Sequence, residues 1–247
     1  MNLRSLQIRY ILYGILILPL IPFLYLQGKY VRRKVGRLPD AEGETSGKHG
    51  ENAEIIKLLA IGESTVAGVG AKNHAEALTG QFARHLSAAT GKTVLWRAVG
   101  ESGITVKETL QRLVPQLPEE KFDVILIALG GNDVFGLTSP RKWRREMTKL
   151  LAILREKYPE AKILSANVPM VRDFIAMPNP LRYVLSRLAK LHHFNSMEFI
   201  SEHENAAYFY DVKRVNDDFF SDGIHPSAHG YDLWAADMVN FMQKKLK

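Results

Sequence analysis

Ile55-Ile56-Lys57-Leu58-Leu59-Ala60-Ile61 runs directly into Gly62-Glu63-Ser64-Thr65, and this pairing of an apolar run with a glycine-led polar turn recurs down the chain. Thr93–Val99 ends at Gly100-Glu101-Ser102-Gly103, and Val124–Leu129 ends at Gly130-Gly131-Asn132-Asp133. Lys162–Val168 and Ala207–Val212 are two further runs, and Asp222-Gly223-Ile224-His225-Pro226 precedes the last helical pattern. Each run is nearly continuous in apolar residues, as expected of strands covered by helices on both faces. Helical patterns fill the intervals at about 74–90, 105–117, 140–158, 180–203 and 228–245. The alternation predicts a three-layer α/β/α sandwich with a five-stranded, mostly parallel sheet. Ligands of such sheets bind beyond the carboxyl ends of the strands, so the polar turns become the candidate site.

Upstream of this domain the character changes. Residues 10–28, YILYGILILPLIPFLYLQG, are 19 in number and carry no charge. At about 1.5 Å per residue they nearly match a hydrocarbon core of roughly 30 Å. Tyr10, Tyr13 and Tyr25 lie toward the ends, and Pro19 and Pro22 are kinks that membrane helices tolerate. A cleaved signal peptide is the competing reading, but no small-x-small cleavage site follows the run. The expectation is an uncleaved, single-pass anchor over residues 1–37. Two basic residues precede the apolar run and five follow it, which leans toward a cytoplasmic catalytic domain and leaves the membrane face open. Residues 38–52, LPDAEGETSGKHGEN, are polar and aperiodic and read as a linker to a catalytic domain over 53–247.

The net charge of +7 belongs to that N-terminal segment. Arg4, Arg9, Lys29, Arg32, Arg33, Lys34 and Arg37 all precede the first acid, Asp40. Setting these seven of the 33 Lys+Arg aside leaves 26 against 26 Asp+Glu. The charge suits anionic headgroups, and no nucleic-acid partner is expected. With no cysteine in the chain, disulfides, thiolate metal sites and a cysteine nucleophile are excluded.

Singly, each polar turn has a plain reading: a serine after a strand caps a helix, GGND makes a turn, and Asp-x-x-His-Pro starts a helix. Together they meet the needs of acyl transfer. Ser64 can be the nucleophile, His225 its base, and Asp222 the carboxylate that fixes the imidazole. The Ser64 and Gly100 backbone N–H groups and the Asn132 amide can form an oxyanion hole. At this point the chain resembles the SGNH hydrolase superfamily, the GDSL esterases and lipases, whose four blocks are matched in order by Ser64, Gly100, Asn132 and His225. Asp222 matches the acid of its DxxH block. The resemblance implies a flavodoxin-like strand order of 2-1-3-4-5 and an esterase that needs no metal or cofactor. Two positions depart from the family pattern. The first block reads Gly62-Glu63-Ser64-Thr65 where Gly-Asp-Ser-Leu is usual, and Ala98 stands where the second block often carries Asn. They suggest a divergent branch.

The expected partners are a small-molecule, lipid or glycan ester and, through the N-terminal helix, a membrane. An acyltransferase or deacetylase with the same triad stays open, as does a non-catalytic membrane-tethered module. His192, His193 and His203 read as packing or surface residues rather than metal ligands, and His229 is a second candidate base. Leu181, Val184, Leu185, Leu188 and Leu191 share one face of the helix after Pro180. That face either packs on the sheet or forms a lid or acyl groove.

Overall fold

The expected alternation of strands and helices is present in the computed structural model of the chain, which describes residues 2–36, 38–211, 213 and 215–246. Helices α1 (Leu3–Ile17) and α2 (Ile21–Val35) are joined by a 3-10 turn at Leu18–Leu20. The domain follows as β1 (Ser46–His49), β2 (Ile55–Gly62), α3 (Leu78–Thr90), β3 (Thr93–Gly100), α4 (Val106–Arg112), β4 (Val124–Ala128), α5 (Gly131–Phe135) and α6 (Pro140–Lys157). It closes with β5 (Lys162–Ser165), α7 (Leu181–Ser201), β6 (Ala206–Tyr208) and α8 (Ala228–Lys245). The strand end expected at Val212 and the anchor limit at Arg37 lie outside the described residues, as do Met1 and Lys247.

Local chemistry sets the helix boundaries. Thr105 and Glu108 form a reciprocal capping box on α4, and Ser139 with Pro140 opens α6. Ser227 caps α8 by accepting from the Gly230 N–H. Gly91, at φ +70, closes α3 in the left-handed conformation.

The sheet order is β1-β3-β2-β4-β5-β6. Without β1 this is the 2-1-3-4-5 order expected, and β3-β2-β4-β5-β6 are all parallel. The sixth strand corrects the expected count of five. Ser46–His49, within the supposed linker, pairs antiparallel with Val94–Arg97. Its four residues, SGKH, are polar and partly exposed, so no hydrophobic pattern announces it. Backbone pairing holds it, and Gly47 lies on the Trp96 ring, where a Cβ would come within 2.5 Å. On one sheet face α3 and α8 bury Leu58, Leu126, Phe82 and Met238; on the other α4 and α6 bury Ile61, Ile125, Trp143 and Leu150.

A third apolar cluster joins the N-terminal helices to the domain. Leu6, Leu24 and Val31 are buried with Leu181, Leu185 and Leu188. The leucine face of α7 thus packs against the N-terminal helices rather than forming an acyl groove, a pairing so distant in sequence that it leaves no trace in α7 itself.

Candidate active site

Every strand of the parallel sheet ends on the same side, and the ends of β2 and β4 meet the β6–α8 loop around a cavity of about 400 Å³. Ser64 and His225 line it from opposite elements, and Asn132 lines it from the start of α5. Ser64 stands in the turn after β2, where the Val66 and Ala67 N–H groups donate to the Glu63 carbonyl and the Val69 N–H donates to that of Ser64. Gly70, at φ +94, carries this turn onward. A Cβ there would lie 2.2 Å from the Pro226 carbonyl oxygen and 2.6 Å from Ser221 Oγ. Only glycine lets the serine turn sit this close to the loop that carries His225.

That loop is internally closed. The Ser221 N–H donates to the His225 carbonyl at 2.8 Å, and Phe220 bridges Pro226. Asp222 accepts the Ile224 and His225 N–H groups on Oδ1, at 2.9 and 2.7 Å, and faces His225 Nδ1 with Oδ2 at 2.7 Å. Burial works to raise the Asp222 pKa, yet the hydrogen bonds from the His225 ring and backbone, the His225 charge and the Ile224 N–H hold it below the ordinary value. With Nδ1–H directed to the carboxylate, Nε2 is the ring nitrogen left to accept a proton. Asp222 does not line the cavity and stands behind the histidine. The two parts of the site are adjacent, but Ser64 makes no hydrogen bond to His225 in this structure; such bonds often tighten only with substrate.

Gly100, at the end of β3, pairs in register with Gly62. A Cβ on it would approach the Ala67 nitrogen to 2.6 Å, so glycine allows β3 to press against the serine turn. It stands behind that turn and does not line the cavity. Asn132 is in the cavity wall, but its amide is engaged: Nδ2 donates to Glu63 Oε2 at 2.7 Å and to the Ile104 carbonyl at 3.2 Å.

Sequence reasoning missed what Glu63 does. Its carboxylate also accepts the Gly131 and Asn132 N–H groups, both at 2.9 Å, at the first turn of α5. The residue is buried, and desolvation raises its pKa to about 7 against the lowering effect of those amide bonds. Asp133 nearby adds a smaller push in the same direction. A signal was available in the acid one residue before Ser64, a helix-start partner once GGND is read as a helix start. The apolar wall was equally hidden: Phe174, Phe220, Ile224, Leu233 and Trp234 come from three separate segments. Of the remaining histidines, His192 is buried, faces the Thr138 carbonyl at 2.8 Å and is lowered to about 4 by desolvation. His229 also lines the cavity, with Asp218 at 3.8 Å.

The model of the GDSL-like lipase/acylhydrolase family matches residues 60–233. Among solved structures, a lipase from a goat rumen metagenome is 18% identical with a TM-score of 0.63, over 78% of this chain and 100% of that one. Phospholipase A1 from Streptomyces albidoflavus NA297 is 18% identical with a TM-score of 0.52, over 75% and 98%. A family two carbohydrate esterase from Clostridium thermocellum is 17% identical with a TM-score of 0.56, over 77% and 64%. At these identities the likeness is one of fold. No curated protein matches the chain in sequence.

Proposed function

Since the chain belongs to the GDSL-like lipase/acylhydrolase family, and so is a serine hydrolase acting on esters, we propose that it cleaves carboxylic esters through Ser64, His225 and Asp222. The observation that carries this reading is the Asp222–His225 pair, fixed on a loop that Gly70 allows to close against the Ser64 turn. Ser64 Oγ attacks the ester carbonyl carbon while His225 Nε2 takes its proton. The resulting oxyanion is held by the Ser64 N–H group and by Asn132 Nδ2, which exchanges its long bond to Ile104 for one to the oxyanion, while Gly100 leaves the space in which the serine turn sits. Collapse breaks the C–O bond, and His225 returns the proton to the leaving alcohol. Water then attacks the acyl-Ser64, with His225 as base, and releases the acid.

The aromatic and aliphatic wall suits an acyl chain, and relatives that act on phospholipids and carbohydrates make lipid and glycan esters the substrate classes to test first. A sugar or lipid hydroxyl reaching acyl-Ser64 before water would make the enzyme an acyltransferase; adding acceptors and following acyl transfer separates the two. The N-terminal helix is the membrane element of this reading, and length alone allows it a single pass. The test is labelling of the full chain by a fluorophosphonate probe. Wild type should label, and Ser64→Ala and His225→Ala should not. A folded wild type that resists the probe, with and without lipid vesicles, would overturn the assignment.

A further inference from the structure

We propose that the N-terminal helix lies along a bilayer surface rather than across it, and that a cationic pocket beside it takes the phosphate headgroup of an anionic lipid. One stripe of the helix is held to the domain in both of its halves, while Leu18, Leu20, Ile21 and Phe23 between them are exposed. Leu6, Leu24 and Val31 are buried, and Tyr10, Tyr13 and Gln27 fall between them at helical spacing. Each of these three makes specific bonds: Tyr10 Oη donates to the Leu137 carbonyl, Tyr13 Oη accepts from Arg187 Nη2, and Gln27 donates to the Asn179 carbonyl and accepts from the Leu181 N–H. Leu6 to Val31 spans about 37 Å at 1.5 Å per residue, more than the hydrocarbon core of roughly 30 Å. A helix held to the domain over that length can cross the bilayer only by drawing the domain in with it.

The neighbouring surface forbids that. A second cavity, of about 490 Å³, opens along α7 beside the helix and is lined by Arg172, Arg182, Arg187 and Lys190 with no Asp or Glu. Asp173 lies 3.5 Å from Arg172. His193, in the same wall, is held below its ordinary pKa by desolvation first and then by the Arg172 and Lys190 charges. Four cations beside the middle of the helix are costly in hydrocarbon and favourable at the level of anionic headgroups. The opposite side of the helix supplies the apolar contact: Ile11, Ile15, Leu16, Phe23 and Leu26 are all at least half exposed. The apolar surface of the helix and the cations beside it together suit an element held at the level of the headgroups.

The cysteine-free chain makes the test direct. In Asn2→Cys/Lys34→Cys, reconstituted in sealed vesicles and treated with a membrane-impermeant maleimide, a helix along the surface gives molecules carrying two labels or none. A crossing helix gives one label per molecule, which overturns the proposal whatever the mixture of orientations. The headgroup is tested by flotation of the full chain with phosphatidylcholine vesicles, with and without phosphatidylglycerol. Arg182→Gln/Lys190→Gln should lower the preference for the anionic vesicles on the order of tenfold while leaving fluorophosphonate labelling of Ser64 intact. An unchanged preference in a variant that still labels refutes the pocket. So does displacement by millimolar inorganic phosphate beyond that of chloride at equal ionic strength, which would mark a site for free phosphate.

Discussion

The two loops that face each other across the cavity are each organised by a buried acid, and the acids behave oppositely. Asp222 and Glu63 both accept several N–H groups, yet Asp222 is held below its ordinary pKa while Glu63 is raised to about 7. The difference lies in their partners. Asp222 faces an imidazole that in the proposed reaction becomes cationic, and a charge answers a charge. Glu63 faces only neutral amides of Gly131 and Asn132, whose dipoles do not offset the full cost of its desolvation. On the proposed mechanism one acid stabilises a charge that appears during catalysis; the other fixes a geometry that exists before it.

The sharpest test of that contrast is Asp222→Asn, which keeps the shape but loses the charge and the preference for one imidazole tautomer. A loss in kcat on the order of 10⁴-fold is expected, read with a soluble ester. Asn132→Ala removes the oxyanion donor that Glu63 holds and should cost about 3–4 kcal/mol of transition-state stabilisation; a fall in kcat/KM of less than tenfold would break the pairing of the Glu63 loop with catalysis. Glu63→Gln should show its effect mainly in stability. Between about 4.5 and 7 the folded chain retains a proton on Glu63 that the unfolded chain releases, so the stability from this group is present at low pH and lost as pH rises through 7. Denaturant melts across pH 4–9 should show a decline of up to about 3 kcal/mol that Glu63→Gln flattens. The smallest effect is expected of Gly131→Ala, whose Cβ would stand 2.6 Å from Glu63 Oε1. It should cost about 1–3 kcal/mol, and a Glu63→Gln background that leaves this cost unchanged would show that the two groups are not in contact.

The strands were legible because each is an apolar run, three of them ended by glycine, and burial from both faces leaves few other sequences possible. The candidate residues were legible because topology brings strand ends together, so Ser64 and Asn132, 68 positions apart, could be placed in one site by reading turns. Two features were not. Strand β1 is polar and rests on backbone hydrogen bonds that any sequence can make. The Glu63–Asn132 bond depends on one extra methylene reaching across from β2 to the β4 turn, a matter of a few ångströms that side-chain type alone does not fix. The packing of α1 and α2 on α7 was hidden for a third reason: an apolar residue against protein and one against lipid look the same in a sequence.

Strand β1 also decides how a shortened enzyme should be cut. Trimming the apolar helix to obtain a readily handled protein invites a start at residue 53, where the supposed linker ends. That cut would strip β3 of its partner and leave an open sheet edge next to Trp96, a template for chain-to-chain pairing. It would also discard the Ala41 N–H bond to the Ala67 carbonyl, which steadies the serine turn from outside. A chain begun at Leu38 keeps both and should remain monomeric at concentrations where the shorter one precipitates.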